Sequence, residues 1–245
     1  GRLNDNAVTT DPPHPLNDIQ QQAMDSVGQQ FLSKNVVLLH GVTSSGKTEI
    51  YIHIIQKAIC EGKQVLYLLP EIALTVQMMM RLKRVFGHRL GIYHSKYSDA
   101  ERVEIWRKQL SSDPYDVILG ARSAVFLPFQ RLGLVVIDEE HESSYKQQDP
   151  APRYHARSVA IVMAQMLGAK TLLGTATPCI ETYHNALTGK YGLVTLSQRF
   201  KGVELPRIEL VDIKDLRHRK MMRGPLSPQL LAAMREALNA GEQVI

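Results

Sequence analysis

Gly41-Val42-Thr43-Ser44-Ser45-Gly46-Lys47-Thr48, preceded by Val36-Val37-Leu38-Leu39 and followed by the stretch 49–60, decides the fold. The apolar run reads as a buried strand and the stretch behind the loop as a helix, so the glycine loop stands where a strand hands over to a helix. The spacing G-x-x-x-x-G-K-[ST] in that setting is a phosphate-binding loop. Glycines let the backbone curl until successive N–H groups point inward, and the helix N-terminus adds partial positive charge. Lys47 is expected to face solvent until phosphate arrives and then to reach the outer phosphates, while the Thr48 hydroxyl ligates Mg²⁺. All eight residues, Gly41, Val42, Thr43, Ser44, Ser45, Gly46, Lys47 and Thr48, are expected to cradle a nucleoside triphosphate.

Outward from the loop, two kinds of segment alternate. Apolar runs at 65–69, 90–93, 117–119, 134–137 and 171–173 predict short buried strands, and amphipathic stretches at 49–61, 72–86, 98–110 and 156–166 predict helices. Such alternation implies an α/β fold, a mostly parallel sheet with helices on both faces. Ligands of such sheets sit at the carboxyl ends of the strands, where the chemical motifs of this chain all fall.

With 245 residues and 44% hydrophobic content, the chain has enough apolar material for one large domain, or one domain and an appendage. No apolar run approaches the roughly 20 residues that span a bilayer, and no secretory pattern opens the chain, so a cytoplasmic protein without membrane partners is expected. Cys60 and Cys179 match no metal-ligand spacing and are expected as buried small apolar residues, with no disulfide and no zinc. The net charge of +5 permits a polyanionic partner without arguing for one. The first fifteen residues, rich in Pro, Asp and Asn, read as a linker. The chain lacks an initial methionine, and a helix near 228–239 gives way at 241–245 to what reads as a new strand, so more protein is expected on both sides.

Asp138-Glu139-Glu140-His141 follows the apolar run Leu134-Val135-Val136-Ile137. A strand ending in Asp then Glu supplies two groups that nucleotide hydrolysis needs: Asp138 to hold the Mg²⁺ shell opposite Thr48, and Glu139 to position or deprotonate the attacking water. A solvated acidic loop is the competing reading, and the phosphate loop about three β-α units upstream weighs against it. Leu173-Gly174-Thr175-Ala176-Thr177-Pro178 again places small hydroxyl residues after a strand. Thr175 and Thr177 are either helix-capping turn residues or a relay from the acidic loop to nucleic acid or a second lobe.

A phosphate loop, a D-E-x-H box and a [S/T]-A-T-P motif in this order resemble the first motor lobe of a superfamily 2 helicase. Pro70-Glu71-Ile72-Ala73-Leu74-Thr75, Gly120-Ala121-Arg122-Ser123-Ala124-Val125-Phe126, Ser143-Ser144-Tyr145-Lys146-Gln147-Gln148 and Arg153-Tyr154-His155-Ala156-Arg157 narrow the likeness to the PriA family of bacterial replication-restart helicases, over about 16–191. Two places depart from that pattern: Asp149-Pro150-Ala151-Pro152 stands where many relatives carry a tryptophan, and Ser44 where Gly is commoner.

The resemblance implies a RecA-like lobe over 16–200, with 1–15 a linker and 201–245 a connection toward a second lobe. It implies ATP and Mg²⁺ as cofactors, with Lys47, Asp138 and Glu139 catalytic. Gln20, in Leu16-Asn17-Asp18-Ile19-Gln20, would read the adenine edge, its rival reading being a surface glutamine. Thr75, Arg122 and Ser123 would line a DNA track. Read without the likeness, Glu71 and Thr75 would be a first-turn charge and a helix cap. His141, Thr175 and Thr177, with Lys146, Arg153 and Tyr154 in an aromatic and basic loop suited to single strands, would couple DNA binding to hydrolysis. The rival there is a loop anchored by a buried tyrosine. The basic run at 214–223 reads as a solvated loop. Forked or single-stranded DNA, primosome components and single-strand-binding proteins are the implied partners, and zinc belongs to the full-length family rather than to this chain. An arginine finger would come from the second lobe, so the isolated chain is expected to be inactive. A double-strand DNA translocase and a non-catalytic ATP-gated module are the alternatives.

Overall fold

The computed structural model describes residues 10–42, 45–71, 73, 75–94, 97–196 and 208–244. Thr43 and Ser44 of the phosphate loop, Ile72 and Leu74 of the Pro70-to-Thr75 motif, and most of the expected linker lie outside the described residues. The chain divides into two compact units, Gly1–Val203 and Glu204–Ile245.

Among the described residues, seven strands build the sheet of the first unit: β1 (Val36–Gly41), β2 (Gln64–Leu68), β3 (Leu90–Tyr93), β4 (Val117–Gly120), β5 (Leu132–Asp138), β6 (Lys170–Thr175) and β7 (Gly192–Leu196). They lie in the order β3-β4-β2-β5-β6-β1-β7, and every neighbouring pair is parallel. Six expected strands are present. The seventh, β7, was not expected, because Gly192-Leu193-Val194-Thr195-Leu196 at the sheet edge alternates in burial instead of forming an apolar run.

Strand alternation divides the core into two layers. Val37, Leu39, Val65, Tyr67, Leu134, Val136 and Leu172 meet α1 (Asp18–Ser33), α2 (Lys47–Cys60) and α3 (Val76–Phe86) on one face. Leu38, Leu66, Leu68, Ile118, Val135, Ile137 and Leu173 meet α4 (Asp99–Leu110), α5 (Ala156–Met166) and α6 (Ile180–Leu187) on the other. On α5, Ala156, Ala160 and Ala164 recur every four residues, the stripe that lets a helix lie close on a sheet. Helix α1 carries a capping box in which Asn17 and Gln20 satisfy each other's backbone N–H groups. Helix α3 opens at Val76, later than residue 72, because the Thr75 hydroxyl accepts from the Met78 N–H at 3.2 Å and sets the helix start there.

In the second unit, α7 (Ile213–His218) starts from the Asp212 cap and α8 (Pro228–Asn239) from Ser227, with Pro228 in the first turn. Two expectations change here. Half of the basic run is helix, with Arg219 paired to Asp215 at 3.0 Å, and it is solvated as expected. Residues 241–244 form no strand. No described helix is long and apolar enough to cross a membrane.

Candidate functional site

The phosphate loop leaves β1 at Gly41 and enters α2 at Lys47, with Gly46 as the N-cap at φ 81°. The left-handed backbone calls for glycine at 46, and a Cβ added there would lie 2.1 Å from Gln20 Nε2 and displace that amide. Gln20 is 2% exposed, which excludes the surface reading. Its Oε1 accepts from the Asn17 N–H at 3.0 Å, and its Nε2 donates to the Gly46 carbonyl at 3.3 Å. Helix α2 has no side-chain cap, and the Ser45 Oγ is buried without a partner, so the loop offers unspent donors to an anion. Thr48 stands half-buried at the second helical position.

Lys47 corrects the expectation that it faces solvent. It is 8% exposed, and its Nζ donates to the Gly41 carbonyl at 2.9 Å and reaches Val42 O at 3.5 Å. A buried ammonium must be paired, and here the loop's own carbonyls pair it.

Strand β6 alone lies between β1 and β5, so the sheet order puts the acidic box next but one to the phosphate loop. Asp138 ends β5, buried, and its Oδ1 accepts from the Tyr51 hydroxyl at 3.0 Å and from the Glu139 N–H at 3.0 Å. Burial, then the Glu139 charge, pushes the Asp138 carboxyl up to about 6, against the opposing pull of the Tyr51 hydrogen bond and the Lys47 charge. Tyr51, its donor, comes from α2 itself. Its signal in sequence was only its position four residues after Lys47, one turn along the same helix face.

Glu139 sits at φ 47°, a left-handed conformation uncommon for a residue with a side chain. The turn parts the two neighbouring carboxylates: Asp138 goes into the core, and Glu139 comes to lie 3.6 Å from His141 Nδ1. Glu140 was not singled out from sequence, and it is the anchor of the box. Fully buried, it accepts from the Cys179 N–H at 2.9 Å and the Thr182 hydroxyl at 3.0 Å, and it pairs with Arg157.

His141 Nδ1 lies 2.7 Å from Thr175 Oγ1, and its Nε2 3.4 Å from Thr177 Oγ1. The structure thus brings together three residues from two motifs.

The loop after the box is rooted in it. The buried Tyr145 hydroxyl lies 2.7 Å from the Asp138 carbonyl oxygen and 3.1 Å from that of Leu68. Arg122 donates through Nη1 to the Ser144 and Lys146 carbonyls at 3.2 and 3.1 Å. Lys146 donates to the Arg153 carbonyl, Gln147 N–H to the Tyr154 carbonyl at 2.9 Å, and Tyr154 packs edge-on against Phe126 at 4.8 Å. Burial lifts the Tyr154 phenol, and the Arg122 guanidinium beside it pulls it back. The Arg153 side chain is exposed and Ser123 half-buried, while Thr75 is exposed as the α3 cap.

The cysteines also depart from expectation. Cys60 is exposed at the end of α2, and Cys179 is partly buried beside Glu140; both are free thiols. Among the described residues, no cluster of three His, Cys, Asp or Glu stands ready for a metal.

A DEAD/DEAH box helicase family profile matches residues 17–186. The replication restart protein PriA of Chlamydia trachomatis is 42% identical over 96% of this chain and 31% of its own length. PriA of Bacillus subtilis is 42% identical over 95% of this chain and 29% of its own, and PriA of Rickettsia conorii 43% over 100% and 36%. The chain therefore spans about a third of the length of the curated relatives it matches. RecG bound to a three-way DNA junction is similar with a TM-score of 0.56 over 78% of this chain and 25% of that one, at 21% identity. The DUF1998 helicase MrfA bound to DNA and AMPPNP gives 0.54 over 77% and 27%, at 19% identity. At such identities the likeness is one of fold, a RecA-like α/β sheet.

Proposed function

This chain belongs to the DEAD/DEAH box helicase family, and on that premise we propose that it is the ATP-binding motor lobe of a DNA helicase that restarts stalled replication forks. One observation carries the reading. The phosphate loop and the acidic box stand on either side of a single strand and are joined by the hydrogen bond from Tyr51, on the loop's own helix, to Asp138.

ATP lies on 41–48, its phosphates taking the free N–H groups at the start of α2 and drawing the Lys47 ammonium off its carbonyls. Gln20 has spent one lone pair and one N–H, which leaves one of each for the adenine edge. The Thr48 hydroxyl and the Asp138 carboxylate are hard oxygen donors that fit Mg²⁺, an ion bound through one or two carboxylates together with substrate phosphates. When bound, Mg²⁺ neutralises charge on the phosphates. Glu139, held out of the core by its left-handed backbone, takes the proton of the attacking water as general base. His141, Thr175 and Thr177 pass the state of the box to β6, and Arg122, Ser123, Thr75, Lys146, Arg153 and Tyr154 meet DNA and couple it to turnover. A second lobe supplies the arginine finger. The likeness to PriA supports forked or single-stranded DNA as substrate, primosome and single-strand-binding proteins as partners, and a cytoplasmic location.

The test is phosphate release by the protein carrying both motor lobes, with and without forked DNA, alongside strand displacement. DNA-stimulated hydrolysis with displacement is expected. Stimulation by duplex without displacement would make it a translocase, and ATP binding without hydrolysis would make it a gated module.

A further inference from the structure

We propose that Tyr51 is a positioning residue that sets the rotation of the Asp138 carboxylate, so that a nucleotide-bound Mg²⁺ or its water is received by Oδ2. The inference rests on the reading of Asp138 as the carboxylate of the Mg²⁺ shell.

Three observations lead to it. First, Tyr51 is wholly buried in the layer between α2 and the sheet, where a phenylalanine would pack as well without a polar group to satisfy. Its hydroxyl is spent on Asp138 Oδ1 at 3.0 Å. Second, Oδ1 also accepts the Glu139 N–H at 3.0 Å. Two donors on one oxygen hold the carboxylate in one orientation and direct any further ligand to the other oxygen. Third, the phenol needs a gap in the neighbouring strand. Gly174 of β6 pairs in register with Asp138, and a Cβ built there would lie 1.7 Å from the Tyr51 hydroxyl oxygen. The glycine ahead of Thr175 is therefore the opening through which α2 reaches β5, a use that the hydroxyls of that motif do not explain. Tyr67, buried on β2, packs edge-on against Tyr51 at 5.8 Å.

The geometry makes one helix set both halves of the metal site. Lys47 and Thr48 start α2, and Tyr51 leaves the same helix within one turn, so phosphates and carboxylate share one rigid reference.

The experiment uses the protein with both motor lobes and measures binding of a fluorescent ADP analogue over a Mg²⁺ titration, with ATP turnover and thermal unfolding alongside. In Tyr51→Phe, metal-free nucleotide affinity is expected to stay within about twofold of wild type, while the Mg²⁺ needed for half-maximal tightening rises about tenfold, the size of one lost hydrogen bond to a charged group. Turnover should fall more at limiting than at saturating Mg²⁺. Gly174→Ala, whose added Cβ would lie 1.7 Å from the hydroxyl oxygen and 2.7 Å from the ring carbon that bears it, pushes the phenol off Asp138 and should give the same Mg²⁺ shift, and it carries the test should Tyr51→Phe fail to fold. Wild-type Mg²⁺ dependence in a folded variant overturns the proposal and leaves Tyr51 a packing residue. Failure of both variants to fold overturns it too, by making the pair structural. Asp138→Asn is the control: if it leaves Mg²⁺ dependence intact, the reading of Asp138 itself falls, which separates the two failures.

Discussion

Asp138 and Glu139 are adjacent carboxylates in opposite surroundings, and the proposed function gives them different work. Glu139 emerges from a strained turn toward His141, so Glu139→Gln should keep ATP affinity and lose hydrolysis by about 10²–10⁴-fold, the usual contribution of a general base. A large loss of affinity instead would make Glu139 structural. Asp138 is raised to about 6 from an ordinary 3.8. A carboxyl raised on folding contributes stability that is full below its unfolded value and is lost as pH rises through its folded value, here between about pH 4 and 6. At 1.36 kcal/mol per unit, ionising it in the metal-free fold costs on the order of 2–3 kcal/mol at neutral pH. Asp138→Asn should therefore stabilise the metal-free protein at pH 7.5 and not at pH 4, as urea unfolding at the two values would reveal; equal effects would sink the argument. Lys47→Ala should abolish ATP-driven activity, and since Lys47 is buried on its own loop, it should also cost about 1 kcal/mol of stability.

Between elements, the acidic box is fastened at its third residue. Glu140 ties β5 to α5 through Arg157 and to α6 through Cys179 and Thr182. Glu140→Gln strands a largely buried Arg157 and should cost about 3 kcal/mol in denaturant unfolding, against a few tenths for Glu142→Gln two residues on, whose side chain is 38% exposed. Comparable losses for the two would refute the anchor. The loop that follows is braced by Arg122, Tyr145 and the Phe126–Tyr154 contact. A buried tyrosine does anchor it, and that anchor grips the carbonyl of Asp138. Replacing Arg153 and Tyr154 by Ala should cut the DNA-stimulated ATPase rate several-fold more than the basal rate, and an equal loss of both would mark the loop as scaffold only. The box was legible because Asp and Glu at a strand end stand out in sequence. Glu140 and Tyr51 were not, because one looks like another acid in a cluster and the other like an ordinary core aromatic.

For the molecule as a whole, the parallel sheet was readable because strands buried on both faces write themselves as apolar runs. In the first unit, the strand and the α-helices that escaped are those whose burial depends on neighbours: edge strand β7, the glutamine-rich α1, whose buried residues are only Gln20, Ala23 and Val27, and the short α6. An arginine finger contributes about 10³–10⁵ in rate where phosphoryl transfer uses one. Residues 1–245 alone should thus bind ATP or ADP weakly, hydrolyse ATP negligibly, and gain nothing from single-stranded DNA. Phosphate release at equal concentration beside the two-lobe protein checks this, and a comparable rate from the single lobe would end the two-lobe reading. The strand order carries a mechanical consequence. On the proposed reading, a phosphate grip after β1, acids at the end of β5 and a threonine relay at the end of β6 would share three consecutive strands of one sheet. Hydrogen-bonded neighbours in one sheet would then move together when a γ-phosphate leaves. A motor stroke would have to exit sideways, through the Tyr145-rooted loop or across to a second lobe, with the sheet as the frame against which it is made.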